Sequence, residues 1–355
     1  LERFAELGYA ADVAADSDLT SLRALPRFAA VRHRLAGNAT PLIRADSAFT
    51  LAERDLLTEG VAYDSASRSF FVGSVRHRRI VRVGPTGRTV PFVGSARDGM
   101  WAPLGLKVDP VRRWLWVAVT AVPQMIGYDT AQAGRSGVLA FDLATGGLRA
   151  RYLLPSDGRP HALGDVLVAR NGDVYASDSR APIVYRVRPS ATRNGSARLE
   201  PWLSSPWLLS AQGMAFDRDE RILYLADYAR GLLRVDLATR TVRLMPSQGA
   251  SVLGIDGLYR VGDDLIGVQN GVAPARVVRL RLGPAGDRIV GTDPLERARP
   301  DYAEPTLGVV VGSSFYYIAN SQWEHFRDDG SVAEPDRLRS PLILRLPLPP
   351  APRRR

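Results

Sequence analysis

The chain has 355 residues, 45% hydrophobic and 24% charged, enough for a buried core and typical of a globular protein. It contains no cysteine, which excludes disulfides, thiolate metal ligands and a cysteine nucleophile, and it has no run of 18 apolar residues, so no apolar membrane span is predicted. The net charge of +10 is scattered in an arginine-rich pattern of bacterial type in which Lys107 is the single lysine, and the densest patch, VRHRRIVR at 75–82, alternates like a solvated strand, so no nucleic-acid partner is predicted.

Residues 1–38 are read as a helical lead-in. The numbering begins at Leu1 with no charged-then-apolar leader, so either a leader has been removed or the chain is a piece of a longer one. In DSDLTSLRAL (16–25), Asp16 or Ser17 is an N-cap candidate. Pro26 is expected to break that helix, and RFAAVRHRLAG (27–37) is expected to stop at Gly37.

From 39 onward one pattern repeats. It appears in EGVAYDSASRSFFVGS (59–74), LGLKVDPVRRWLWVAV (104–119), GDVLVARNGDVYASDS (164–179), QGMAFDRDERILYLADY (212–228), DGLYRVGDDLIGVQNG (256–271) and LGVVVGSSFYYIANS (307–321). Each is an apolar strand, a polar turn and a second strand, followed by a third such as LLRVDL (232–237) and a turn leading to a fourth. Four strands repeated six times predict an all-β, six-bladed β-propeller over 39–350. The sixth blade ends in LILRLPL (342–348) without an obvious fourth strand, and ATPLIRADSAFTL (39–51) is expected to supply it and close the ring. Residues 351–355 are read as a basic tail.

In such a propeller the starts of first strands, the ends of second strands and the blade connections share one face. The aligned first-strand positions there are Glu59, Leu104, Gly164, Gln212, Asp256 and Leu307. Two carboxylates and an amide oxygen converging on one axis repel or are desolvated unless a cation sits between them, and a hard cation such as Ca²⁺ suits oxygen ligands. A structural role is also open: Glu59 can cap its strand or pair with an arginine, and Asp256 can be an ordinary turn residue. Asp178, Asp227, Asn270 and Asn320, at second-strand ends, are expected to ring the same cavity, binding substrate or tying loops to backbone. The long loops 120–137 and 320–340 are expected to roof it, with Tyr128, Trp101 and Trp323 as apolar walls.

The segments EGVAYD, LGDVLVARNGDVYASDS, AQGMAFDRDERILYLADY and GIDGLY resemble the gluconolactonase and regucalcin (senescence marker protein) propellers, related to strictosidine synthase and paraoxonase, over residues 50–348. The resemblance implies a catalytic divalent metal, usually calcium, with Glu59 and Asp256 matching two ligand positions. Gln212 stands where that family has Asn, and Gly164 followed by Asp165 stands where it often has Asn-Asp, which removes one amide oxygen and leaves water or Asp165 to fill the gap. It further implies hydrolysis of small lactones or esters by metal-activated water, with Asp256 or Asp227 as proton acceptor and His161 assisting. Asp165, Asp178, Asn270, Asn320, Tyr128 and Trp323 are the substrate-binding candidates, and a small-molecule substrate is expected. His33, His77 and His325 have no assigned partner.

A propeller that binds a ligand or protein on the same face without turnover is the alternative, favoured by the departures at Gly164 and Gln212. A strictosidine-synthase-like condensing enzyme is more distant, with Glu304 as its only comparable carboxylate. Nucleophile-elbow, zinc-helix, P-loop and dinucleotide motifs are absent from the sequence.

Overall fold

The computed structural model describes residues 1–189, 198–249 and 251–349, so the basic tail read at 351–355 lies outside the described residues. Six four-stranded antiparallel sheets follow one another as the blades of a β-propeller. Their innermost strands are Thr58–Asp64, Ala102–Asp109, Leu163–Val168, Ala211–Phe216, Ile255–Val261 and Gly308–Val311. The ring closes as the sequence predicts. Asp46–Thr50 pairs antiparallel with Leu342–Pro347, with Phe49 opposite Ile343, so the chain's first strand completes its last blade. At the same seam Thr306 Oγ1 donates to the Glu59 carbonyl at 3.0 Å.

Alternating apolar residues on both faces of each sheet bury between neighbouring blades, because no blade can cover its own faces. Between blades 1 and 2, for example, Phe71, Leu106, Val117 and Phe141 are all essentially inaccessible. Truncating such a phenylalanine to alanine costs about 3–5 kcal/mol.

The inner strands carry the feature that positions the site. In each of the first five blades the pairing with the second strand slips at the mouth: between Thr58 and Val61, Pro103 and Leu106, Leu163 and Asp165, Ala211 and Met214, and Ile255 and Leu258. A bulge frees its residues from the ladder and re-aims their side chains. Glu59, Leu104, Gly164, Gln212 and Asp256 all sit in these bulges. Glycine follows four of them, and at three, Gly60, Gly105 and Gly213, the neighbouring inner strand approaches closely. A Cβ at Gly213 would stand 2.6 Å from the Asp256 carbonyl oxygen.

The lead-in is helical, with two corrections. Helices run over Glu2–Glu6 and Pro26–Ala39, with a 3-10 turn at Ser17–Leu22 capped by the Asp16 carboxylate, which accepts from Asp18 N at 3.0 Å. Pro26 opens the second helix instead of merely ending the first, since proline lacks only an amide that has no partner at a helix start. That helix passes through Gly37 to Ala39 and is capped at Thr40, so Gly37 is not its stop. The module docks on blade 5, where Arg276 Nη1 donates to the Gly8 carbonyl at 2.9 Å and Ala10 N donates to the Ala273 carbonyl at 2.8 Å. Among the described residues no helix is long and apolar enough to cross a membrane.

Candidate functional site

Each bulge carboxylate at the mouth is held by one side-chain donor. Trp323, in the short 3-10 turn Trp323–His325, donates its indole N–H to Glu59 Oε2 at 2.7 Å. Asn270 Nδ2 donates to Asp256 Oδ2 at 3.0 Å, and the Asn270 amide is itself oriented by Tyr228, whose hydroxyl donates to Asn270 Oδ1 at 3.0 Å. Among the described residues Glu59 Oε1, Asp256 Oδ1 and Gln212 Oε1 accept no hydrogen bond.

The charges at the axis work against one another. Burial first, then the nearby Glu304 charge, pushes the Asp256 carboxyl up to about 7, with Asn270 opposing the shift. Glu59 is raised well above the ordinary carboxylate range by burial and then by Asp256, while Trp323 pulls the other way. Glu304 reaches solvent at the mouth yet is crowded by protein, and burial followed by the Glu324 charge lifts it to about 7. Burial and then these three carboxylates also push the Tyr228 hydroxyl up to about 12. A site in which ionised carboxylates mutually destabilise favours either protons or a cation.

Blade 3 breaks the pattern for a local reason. Its polar residue comes one position later than in blades 1, 4 and 5, so Gly164 occupies the bulge and Asp165 stands where the others have glycine. Asp165 is buried at 2% exposure, accepts from Val166 N at 2.9 Å and faces the single lysine, with Lys107 Nζ 3.8 Å from its Oδ1. Lys107 also lies 4.8 Å from the centre of the Tyr259 ring. Burial raises the Asp165 carboxyl and Lys107 opposes it. Asp165 is thus engaged with Lys107 in the channel wall. The space beside Gly164 is taken by Gln212, whose Oε1 would lie 3.3 Å from a Cβ at position 164.

The polar ends of the second strands divide into two groups. Asp227 is fully buried, and each of its oxygens accepts two backbone amides, those of Leu209 and Ser210 on Oδ2 and of Ala229 and Arg230 on Oδ1. Asp178 Oδ1 accepts from the amides of Ala162, Arg180 and Ala181. Asn320 bridges the Ser340 carbonyl and the Leu342 amide. These three tie loops to backbone. Only Asn270 turns to the axis, because its neighbour Gln269 takes the tying role, donating to the carbonyls of Ser251 and Leu253.

His161 lies on the same face at 3% exposure, with Nδ1 2.7 Å from Asp178 Oδ2 and Nε2 3.2 Å from Asp157 Oδ1. The two long loops touch each other, Gln124 Nε2 donating to Asp328 Oδ1 at 2.8 Å. Tyr128 and Trp323 pack on the same apolar cluster as the buried Trp101. The sequence casts Trp323 as an apolar wall and substrate-binding candidate and gives no sign of its N–H partner; Glu304 is noted there outside the metal set. Glu53, Asp55 and His77 are the one group of His, Asp and Glu among the described residues whose ligand atoms all lie within 4.8 Å of one another. Arg76 and Arg79 pair with that group, so its charge is already balanced.

No family model matches the chain, and no curated protein matches it in sequence. Solved structures do match in shape. A gluconolactonase from Xanthomonas campestris superposes with a TM-score of 0.55 at 17% identity, covering 87% of this chain and 94% of its own. Regucalcin from Agrobacterium tumefaciens, a calcium-binding protein, gives 0.56 at 16%, covering 84% and 93%. A PQQ-bound aldose sugar dehydrogenase from Streptomyces coelicolor gives 0.56 at 12%, covering 87% and 98%. At these identities the likeness shows the six-bladed propeller fold, which hosts different chemistries.

Proposed function

We propose that the axial mouth binds a divalent cation, calcium by the nature of its donors, through Glu59, Gln212 and Asp256, and that small lactones or esters are hydrolysed there. One observation carries this reading: three hard oxygens without donors share a mouth with carboxylates that repel one another. The gluconolactonase and calcium-binding names of two structural neighbours agree with it.

A cation bound there supplies carbonyl polarisation and a more acidic water. The chain's own residues supply the rest. Trp323 orients Glu59, and Tyr228 orients Asn270, which orients Asp256. Asp256 accepts the proton of the attacking water. Asp227, the other acceptor expected, and His161, expected to assist, have their polar atoms engaged elsewhere.

Calcium calorimetry on the metal-free protein and a lactone and ester panel with and without chelator test this reading. Calcium-dependent turnover lost in Glu59→Gln and Asp256→Asn, with the fold intact, supports it. The missing amide at Gly164 favours a second reading, ligand binding without turnover. Calcium binding with no hydrolysis of any lactone, ester or phosphotriester would select that one.

A further inference from the structure

A second recess lies on the same face, away from the axial bulges, between the loop leaving the second strand of blade 2 and the connection entering blade 3. Its volume is about 410 Å³, within the range of small-ligand sites. Leu154 and Tyr128 give it apolar wall, and three guanidiniums, Arg135, Arg159 and Arg180, line it together with His161.

The charge there is unbalanced. Among the described residues Arg135 and Arg180 have no carboxylate within 4.0 Å, whereas Asp157 at the rim is already engaged by His161, by the Arg159 amide at 2.9 Å and by the Arg159 side chain at 3.9 Å. The frame is rigid. Asp178, fully buried, holds His161 through one oxygen and the Arg180 amide through the other. His161 N donates to the Gly134 carbonyl at 3.1 Å, which sets the Arg135 backbone beside it. One buried carboxylate therefore fixes both the His161 ring and the Arg180 backbone at the edge of the recess.

We infer that this recess binds a small organic anion, a body of about one sugar ring carrying a carboxylate or phosphate that Arg135 and Arg180 grip. Guanidinium forks match both head groups. The inference is independent of the axial cation.

The test is calorimetric titration of the metal-free full chain with gluconate, glucose 6-phosphate and neutral glucose. At least one anion binds at millimolar concentration or tighter, glucose does not, and the tighter anion identifies the head group. In the Arg135→Gln/Arg180→Gln variant anion affinity falls by about tenfold or more, since two charge-assisted contacts are lost. Both arginines are exposed, so the fold is expected to survive, which circular dichroism checks. Binding survives Glu59→Gln unchanged. No heat from either anion, equal binding of glucose, undiminished binding in the double variant, or loss of binding in Glu59→Gln would each overturn the assignment.

Discussion

Trp323 and Glu59, 264 positions apart, are joined by a 2.7 Å hydrogen bond from the indole N–H to the carboxylate. A loop of blade 6 thereby reaches to a side chain of blade 1, and the bond spends one Glu59 oxygen while the other accepts no hydrogen bond among the described residues. A partner of this kind behind the proposed ligand Glu59 is expected to account for about 10- to 100-fold in metal affinity.

Trp323→Phe keeps the ring packed and removes the N–H. Calcium affinity measured by calorimetry should fall about tenfold, while the thermal midpoint moves little. Glu59→Gln, by contrast, should remove calorimetric calcium binding altogether. If Trp323→Phe binds calcium as well as the parent chain, the indole serves only as packing.

The metal-free protein should lose stability as pH rises. The Asp256 carboxyl, ordinarily near 3.8, is raised to about 7 in the folded state, so between those values the folded chain holds a proton that the unfolded chain has released. Stability from this group is complete below the lower value and is lost as pH climbs to the upper one. Glu304, also lifted to about 7, adds to the same trend. Melting curves at pH 5 and pH 8 should show the fall without calcium and a smaller fall with it, because the cation replaces the protons. A metal-free midpoint that rises over this interval would reverse the sign and overturn the picture of crowded carboxylates.

Asp227 should matter for folding more than for chemistry. Asp227→Asn keeps the shape but turns a donor toward amides that need an acceptor, at a cost of about 2–4 kcal/mol in denaturant unfolding. Specific activity of the folded fraction should hold. Full stability with activity gone would instead make Asp227 the proton acceptor.

The propeller was legible because its grammar is local: a mouth residue, a glycine, an apolar strand and a polar turn, recurring at 59, 104, 212 and 256. Closure by Asp46–Thr50 was legible from what the sixth blade lacked. The orientation of neighbouring residues was not. Successive strand residues face opposite ways, so a shift of one separates the axial Asn270 from the loop-tying Gln269, and Asp227 falls in the tying register. Nor could spacing reveal that a tryptophan in a 21-residue loop, 320–340, would find Glu59, since that contact exists only once the ring has closed.

The departures at Gly164 and Gln212 meet in space, because Gln212 Oε1 lies 3.3 Å from where a residue 164 Cβ would stand. Gln212→Asn alone withdraws the amide oxygen by a methylene and leaves that space empty, so calcium affinity should drop. Gly164→Asn alone presses on the glutamine and should gain little. Together they would place two amide oxygens at the proposed site, and affinity should exceed that of the parent chain. Sites in contact couple by roughly 0.5–3 kcal/mol, so a calorimetric double-mutant cycle distinguishes this outcome from simple addition. Strict additivity would mean that Gln212 does not stand in for the missing amide, and the third oxygen of the proposed site would have to come from elsewhere.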